Sequence, residues 1–278
     1  MSPFPIPVVA LGPGSQPEDE ALHYLPMPRE MRTFRDPVLP EPELLRSLSG
    51  ARAVLRRARD AARDWTPGSG TVQIDLAGLA GSDLGLLDQV LGEGEVSARI
   101  EGPSDLRIQE SVFAGVWRVR SLDPSGVCVE DRLEVGALPD VVIRAGGSGR
   151  ALPTPPRQIP AGANSAPALL AEIAEHLGAG SAQHVINLTL LPFSPEDGDA
   201  LEEALGRGGL SVLSRGYGNC RVTAAGVARL WWVQYFNSQD LMILNTLEIT
   251  EAPEVIRAAP EDLEDSALRL GELMDWLH

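Results

Sequence analysis

The side chains of this chain that could serve as nucleophiles, bases or metal ligands are few. All 23 basic residues are arginine, so no lysine is present for a Walker A phosphate loop, a Schiff base or a kinase active site. Of the four histidines, His176 and His184 lack a ligand spacing such as H-E-x-x-H, and we therefore expect no metal site. No G-x-S-x-G motif or Ser/His/Asp arrangement is visible. These observations predict a protein that is not an enzyme and has no cofactor.

The two cysteines, Cys128 and Cys220, are the remaining candidate nucleophiles, and they form neither a disulfide framework nor a metal-site spacing. Cys220 precedes Arg221, which favours a thiolate, so one interpretation is a thiol that contacts a cluster or a partner's cysteine. The other interpretation is a small, half-buried residue at the start of a strand. A single cysteine cannot hold an iron–sulfur cluster, which needs several thiolates.

The net charge of -16 and the pI near 4.6 exclude broad contact with nucleic acid, which requires a basic surface. Residues 168–278 contain 17 acidic residues and six arginines, and the 31 residues from Glu248 onward have a net charge of -7. This acidity suggests either a rim suited to a basic partner segment or a solvated helix that favours solubility. No apolar run is long enough to insert into a membrane, the proline-broken start is not a secretory signal, and we expect a cytoplasmic protein.

The elements that must position these residues form two similar series. Residues 1–42 are a proline-rich arm, either a loose tail or a segment packed over a hydrophobic face. The first series is a helix over 43–63, a strand over 71–76, a helix over 82–91, and strands over 96–100, 106–122 and 127–135. After a Gly/Pro-rich linker over 146–167, the second series is a helix over 168–177, a strand over 185–191, a helix over 195–205, strands to 249, and a C-terminal helix over 260–277.

The two series are related by sequence as well as by pattern. Residues 92–142 align with 206–256 at a constant offset of 114, and twelve of the 51 pairs are identical. We therefore predict an α+β fold of two tandem pseudo-symmetric repeats, over 43–145 and 168–278. Each repeat is a helix–strand–helix unit followed by three mainly antiparallel strands.

The two faces of the predicted strands differ between the repeats. Trp117 and Val119 match Trp231 and Val233, and we expect this shared face to be the core face under each repeat's helices. The opposite face is mostly charged in the first repeat but apolar or neutral in the second: Arg118, Arg120, Cys128 and Glu130 correspond to Trp232, Gln234, Met242 and Leu244, and Leu122 to Phe236. Either the C-terminal helix or the proline-rich arm covers this second apolar face, or a partner segment binds it.

Three consecutive motifs in the second repeat resemble a known family. They are GYGNCR at 216–221, WWVQYFNS at 231–238 and ILNTLEI at 243–249. In these motifs the chain is similar to the C-terminal region of the HupH/HyaF-type hydrogenase expression/formation proteins. The resemblance covers roughly 168–278, and the first repeat resembles the family more weakly.

The resemblance implies an accessory protein for maturation of a membrane-bound uptake [NiFe] hydrogenase. Proteins of this type are taken to act in the cytoplasm, as chaperones or scaffolds for the iron–sulfur small subunit before its export by the twin-arginine route. The expected partners are that subunit, including its export signal, and other maturation proteins. The alternative function is a thiol-dependent redox or cluster-handling protein that uses Cys220.

The candidate partner-binding residues lie on the motifs of the second repeat. They are Tyr217, Asn219, Cys220, Trp232, Gln234, Phe236, Asn237, Met242 and Leu244. Several also have a simpler structural interpretation: Tyr217 and Asn219 as turn residues between glycines, and Asn237 as a residue that fixes a hairpin. Asn245, which is not among these candidates, has the same two interpretations as Asn237, a bond to an extended peptide or a hairpin role. Glu248 matches Glu134, which favours a structural role shared by both repeats.

Overall fold

The structure, a computed structural model, describes residues 48–152, 160, 162–216 and 218–276. The proline-rich arm, Tyr217 and part of the 146–167 linker therefore lie outside the described residues. Within them, six helices and one ten-stranded antiparallel sheet confirm the α+β class.

Both halves of the described chain contain the same order of elements. The N-terminal half contains α1 (Ser49–Asp64), β1 (Val72–Asp75), α2 (Gly81–Leu91), β2 (Val96–Ile100), β3 (Asp105–Glu110), β4 (Val116–Leu122), β5 (Cys128–Val135) and α3 (Asp140–Gly147). The C-terminal half contains α4 (Ala166–Gly178), β6 (His184–Asn187), α5 (Pro195–Leu205), β7 (Arg207–Ser214), β8 (Asn219–Ala225), β9 (Leu230–Phe236), β10 (Met242–Ile249) and α6 (Pro260–Trp276). Single 3-10 turns follow β6 and β10, at Leu188–Leu190 and Glu254–Ile256.

The strand order of the sheet is β1-β5-β4-β3-β2-β7-β8-β9-β10-β6, so the halves join edge to edge through β2 and β7. In this pairing Ala98 lies opposite Val212, its own equivalent at an offset of 114. Val96 and Ile100 pair with Ser214 and Leu210, in reversed order around that central pair. The register is therefore that of a local two-fold axis normal to the sheet, which leaves corresponding helices on the same face.

The expectation about which face the helices cover was wrong. Trp117, Val119, Trp231 and Val233 belong to a central core cluster that α3 and the segment around Ile256 cover. The paired helices of each half pack on the opposite face, which we call the helix-side face. Helices α1 and α2 cover one end of this face, and α4 and α5 cover the other end. Strand alternation separates the two faces but does not say which one a helix covers.

The C-terminal helix does not cover the apolar strands of its own half. The α6 residues Leu263, Leu270 and Met274 are buried with residues of α1 in the core cluster of the N-terminal half. The helix-side face of β9 and β10 is instead packed in part by α4 and α5, with Trp232 against that cluster. The prediction that the C-terminal helix covers the second apolar face is therefore wrong. The proline-rich arm, which was the other intramolecular cover considered, lies outside the described residues.

Several element boundaries also differ from the prediction. The strand expected over 106–122 is two strands, β3 and β4, because a tight turn at Phe113–Gly115 reverses the chain: Val116 N donates to Phe113 O, and Gly115 has φ +78°. Each half thus has four strands after its second helix, not three. Helix α3 was not predicted, and the linker beyond it is anchored where Arg150 N donates to Gly226 O.

Candidate functional site

The candidate residues of the C-terminal half divide between the two faces of the sheet. Cross-strand partners share a face, and Asn219 pairs with Phe236 while Cys220 pairs with Tyr235. The helix-side face therefore contains Asn219, Trp232, Gln234, Phe236 and Met242. Cys220 lies on the opposite face, under the α3 side of the core. The sequence motif thus does not form one continuous site.

Leu244 also lies on the opposite face from its predicted neighbours. Met242 pairs with Phe236, but Leu244 pairs with Tyr235, because a β-bulge interrupts the register between them. The extra residue is Ile243. Because strand residues alternate between the two faces, one inserted residue places Met242 and Leu244 on opposite faces. The first half has the same bulge at the equivalent position, Val129.

The side chains on the helix-side face of β8, β9 and β10 are neutral apart from one arginine, and Trp232, Gln234 and Phe236 among them are half-buried. The Arg221 guanidinium lies 5.6 Å from the centre of the Phe236 ring, a cation–π distance. Gln234 Nε2 lies 3.6 Å from Met242 Sδ. The Asn245 side-chain oxygen is buried and has no hydrogen-bond partner among the described residues. Such an oxygen lowers stability unless a partner group donates to it.

The predicted hairpin role of Asn237 agrees with its hydrogen bonds. Its side-chain oxygen accepts from the backbone N–H groups of Gln239 and Leu241, and Asn237 N donates to Leu241 O. Asp240, in the same turn, has φ +59°. Asn237 is therefore fully used in shaping the β9–β10 turn.

The hairpin ends in apolar residues exposed to solvent. Leu241 is 60% exposed and Ile243 is 58% exposed, with Met242 between them, and the 3-10 turn that contains the exposed Leu190 contacts β10. We define Leu241, Met242, Ile243 and Leu244 as the apolar edge. Strand β6 pairs with β10 only from Thr246 onward, so the outer side of the apolar edge has no strand partner within the described residues.

The equivalent edge of the first half is exposed to the same extent but is charged. Val127 and Val129 are 59% and 57% exposed, the same within about 1% as Leu241 and Ile243. The residues that follow are Glu130 and Asp131, where the second half has Leu244 and Asn245. Charged side chains at an open strand edge oppose the addition of another strand, and the second half lacks them.

Cys220 is unsuited to thiol chemistry. Its side chain is 3% exposed, and burial raises the pKa of the thiol to about 12, with the nearby Glu248 carboxylate acting in the same direction. The Tyr235 hydroxyl forms a hydrogen bond with Cys220, and burial raises its pKa to about 12 as well. A thiol with this pKa is protonated at neutral pH and is a poor nucleophile. The geometry therefore favours the structural interpretation of Cys220.

Glu248 differs from its equivalent in the first half. Glu134 accepts from Arg132 Nε at 3.0 Å, from Thr71 and from the backbone N–H of Asp140. Arg132 corresponds to Thr246, whose hydroxyl donates to Glu248 at 3.3 Å. Without a cation at that position, burial raises the pKa of the Glu248 carboxyl above its usual range.

A cluster that spacing rules did not predict lies between α4 and β6. Glu172, His176 and His184 each offer one possible ligand atom, and these atoms lie within 4.8 Å of one another. Glu172 and His176 are four residues apart on one helix and therefore share a face. The helix-to-strand turn brings His184 beside them, which no local motif indicates.

The acidic residues of α6 are remote from the apolar edge. Six of them follow the start of the helix: Glu261, Asp262, Glu264, Asp265, Glu272 and Asp275. Helix α6 packs on α1 and on the β3–β4 turn of the first half, where Ser266 Oγ donates to Ala114 O and Arg269 Nη1 donates to Val112 O. The hypothesis of an acidic rim around the aromatic residues of β9 is therefore wrong for these acids.

Comparison with known proteins gives one family. The family described as "HupH hydrogenase expression protein, C-terminal conserved region" matches residues 48–147 and, separately, residues 163–277. The match to the first segment extends the resemblance beyond the second half, where the sequence motifs had placed it.

Full-length relatives have related names. The chain is 50% identical to "Hydrogenase expression/formation protein HoxQ" of Cupriavidus necator, over all of this chain and 99% of that protein. It is 44% identical to "Hydrogenase expression/formation protein HupH" of Rhodobacter capsulatus, over 99% and 98%. It is 35% identical to "Hydrogenase-1 operon protein HyaF" of Escherichia coli, over 96% and 95%.

One solved structure is also similar, "Hydrogenase expression protein HupH from Thiobacillus denitrificans". The two chains are 29% identical, with a TM-score of 0.37, and the similarity covers 40% of this chain and 95% of the other. Within the described residues, no helix combines the length and apolar character that a bilayer span requires.

Proposed function

Because the chain belongs to the HupH family of hydrogenase expression/formation proteins, we propose that it is a non-catalytic accessory protein that holds a hydrogenase subunit during maturation. The subunit is the iron–sulfur small subunit, bound in the cytoplasm before its export by the twin-arginine route. The names of the relatives support a role in hydrogenase formation, and the choice of subunit rests on the family resemblance of the motifs at 216–249.

The observation that carries the proposal is the apolar edge of β10. It joins exposed apolar side chains to an open strand edge, and the two features together suit an extended apolar segment that adds to the sheet as another strand. Main-chain hydrogen bonds to the edge provide affinity, and the side chains of Met242 and Ile243 provide specificity. Asn245, next to this edge, has a buried side-chain oxygen that finds no hydrogen-bond partner among the described residues.

The helix-side residues of β9 complete this surface. Phe236 pairs with Met242, so the aromatic ring borders the apolar edge on one face of the sheet. Trp232 lies two pairs further along and packs in part against α4 and α5. Its role is therefore divided between the core and the binding surface, whereas Ile243 has no such core role.

The alternative function, thiol chemistry at Cys220, has little support from the geometry. The thiol is buried with a pKa raised to about 12, and its hydrogen bond with Tyr235 lies on the face opposite Phe236 and Met242. A maturation role for this residue would therefore be structural.

The proposal is tested by capture of the small subunit from hydrogenase-expressing cells with tagged full-length protein. We expect Ile243→Asp to lower the yield of captured subunit at least tenfold, because a carboxylate at the centre of the edge opposes strand addition. The matched control is Val129→Asp, at the equivalent bulge with almost the same exposure, and it should leave capture unchanged.

Both variants should keep the melting temperature of the parent protein, since both side chains are exposed. The captured subunit should retain its uncleaved export signal. Equal capture by the two variants would contradict the proposed surface, and a deletion strain that keeps full uptake hydrogenase activity would contradict the proposed function.

A further inference from the structure

The cluster of Glu172, His176 and His184 lies at the junction of α4 and β6, on neither of the surfaces described above. Its three possible ligand atoms lie within 4.8 Å of one another, and all three residues are half-buried. His184 Nε2 is 2.7 Å from Glu172 Oε1, and the two imidazole rings stack with their centroids 3.5 Å apart. The three possible ligand atoms are thus close enough for one small ion to contact all of them once the two rings tilt out of their stack.

The backbone holds the three residues in place without a ligand. Glu172 and His176 occupy one face of α4, and His184 is the first residue of β6, opposite Ile249 of β10. The connecting turn is fixed where Ser181 N donates to His176 O at 3.0 Å and where Arg229 donates to Ser181 O at 2.9 Å. Fixed elements of this kind position ligands more accurately than a mobile loop does.

The hydrogen bonds of the cluster indicate which nitrogen of His176 faces it. His176 Nδ1 lies 3.1 Å from Ser181 Oγ. If Nδ1–H donates to this hydroxyl, the lone pair is on Nε2, and that is the arrangement by which outer groups orient metal-binding histidines. For His184 the nitrogen is Nε2, which already faces the Glu172 carboxylate.

The distances between the possible ligand atoms are close to those around a small tetrahedral ion, and small movements of the side chains would bring them into agreement. Two ligands that lie 2.0–2.1 Å from a tetrahedral ion are roughly 3.3 Å apart. The distance of 2.7 Å between His184 Nε2 and Glu172 Oε1 is below this value, and the upper limit of 4.8 Å for the cluster is above it. An imidazole binds an ion in the plane of its ring, so the two stacked rings must tilt toward a common point.

From this arrangement we propose that Glu172, His176 and His184 bind a divalent transition-metal ion of the zinc class, contrary to the expectation from spacing alone. Two imidazole nitrogens and one carboxylate oxygen suit Zn²⁺ and its neighbours, whereas Mg²⁺ and Ca²⁺ prefer oxygen ligands. Three protein ligands leave a fourth position for water or an outside donor. The bound ion links α4 directly to β6.

The test is titration of tag-free, full-length protein with Zn²⁺ alone, followed by calorimetry and equilibrium dialysis, with Mg²⁺ as the counter-probe. We expect one Zn²⁺ per chain and at least tenfold weaker binding in Glu172→Gln, His176→Gln and His184→Gln. The matched controls are Glu175→Gln, on the same helix outside the cluster, and Cys128→Ser, which removes the exposed thiol. Both controls should bind as the parent does.

Affinity that is equal in the parent and the three cluster variants, or that is lost only in Cys128→Ser, would overturn the proposal. A second measurement needs no variant. Zn²⁺ binds only the folded site, so at 100 times Kd it should raise the folded-to-unfolded ratio about 100-fold and raise the melting temperature. It should also shift the ring resonances of two of the four histidines, and unchanged resonances would refute the site.

Discussion

The two halves of the sheet have the same backbone arrangement but differ in the chemistry of their surfaces. In each half a buried tryptophan on the fourth strand donates its indole N–H to a backbone carbonyl: Trp117 to Gly136 at 2.9 Å, and Trp231 to Thr250 at 3.1 Å. Both donors and both acceptors are separated by 114 residues. The same bulge then exposes Val129 in one half and Ile243 in the other.

The difference lies in how polar groups are paired. On the helix-side face of the first half, Arg118 binds both Asp88 and Asp131, so the charges satisfy one another. In the second half Trp232 and Asn245 replace Arg118 and Asp131, and the Asn245 side-chain oxygen is buried without a partner among the described residues. On this face the charges of the first half are thus paired with one another, and the second half has the surface that fits a binding partner.

The buried glutamates provide the largest test of this contrast. Arg132→Thr gives the first half the residue that the second half has, and it leaves Glu134, which is 0% exposed, without its cation. Removing one partner of a buried ion pair costs about 3–5 kcal/mol of unfolding free energy. We expect a loss of that order in denaturant unfolding at neutral pH.

The control for Arg132→Thr is the double variant Arg132→Thr/Glu134→Gln, which removes the buried charge and should recover much of the loss. Thr246→Val in the second half removes a hydroxyl shared between Glu248 and Val233 O but no charge, and it should cost about 1 kcal/mol. Nearly equal losses from Arg132→Thr and Thr246→Val would show that the two glutamates are held in the same way.

A second contrast predicts an effect of pH. Glu110, which corresponds to Ala224, is buried, and this burial raises the pKa of its carboxyl to about 7, with further contributions from Glu95 and Asp262. Between pH 4.5 and 7 the folded state therefore binds more protons than the unfolded state. Stability from this group is present below pH 4.5 and is lost as the pH rises toward 7.

Glu110→Gln isolates this effect. Its unfolding free energy relative to the parent should rise by about 3 kcal/mol between pH 4.5 and pH 8, since a shift of one pKa unit corresponds to about 1.4 kcal/mol. The glutamine oxygen can still accept from Gly115 N, as Glu110 does at 3.2 Å. A pH-independent difference between the variant and the parent would show that Glu110 ionises normally.

The sequence predicted the alternation of the central strands but not their surroundings. The matches Trp117/Trp231 and Val119/Val233 correctly defined one shared face, because period-2 patterning survives in β4 and β9. Which helices cover that face depends on tertiary packing, which an isolated strand pattern does not contain. The predicted arrangement of helices was therefore wrong, although α5 was predicted at its observed bounds, Pro195–Leu205, where Ser194 and Asp197 form a capping box.

For the candidate site, the sequence predicted the hairpin but not which of its residues share a face of the sheet. Asn237 was predicted either to bind a partner or to fix the hairpin, and its side chain does cap the turn. The bulge at Ile243 moved Leu244 to the opposite face, and no residue type signals that insertion. The Glu172, His176 and His184 cluster depends on contact between a helix and a strand, so local spacing could not reveal it.

A third test concerns the cover of the central core. Gly146 of α3 lies against Trp231, and a Cβ added there would overlap Cζ2 of the indole. We expect Gly146→Ala to cost about 1–3 kcal/mol by overpacking. Gly147→Ala, the next residue, meets nothing within 4 Å and should be neutral or slightly stabilising. Equal thermal melts of the two variants would mean that α3 does not press on the second half's tryptophan.

The smallest expected effect is the difference between two equivalent substitutions. Trp117→Phe and Trp231→Phe each remove one indole hydrogen bond, worth about 1 kcal/mol, from an equivalent carbonyl. If the two halves have the same backbone arrangement, the two losses of unfolding free energy in denaturant should agree within about 0.5 kcal/mol.

Trp231→Phe should also relieve the clash of Gly146→Ala in the double variant, since the indole atom nearest the added methyl is the one removed. Trp117→Phe should not relieve it, because Gly146 contacts Trp231 alone among the two tryptophans in the described contacts. A large gap between the single variants would place the asymmetry of the molecule in its core as well as on its surface.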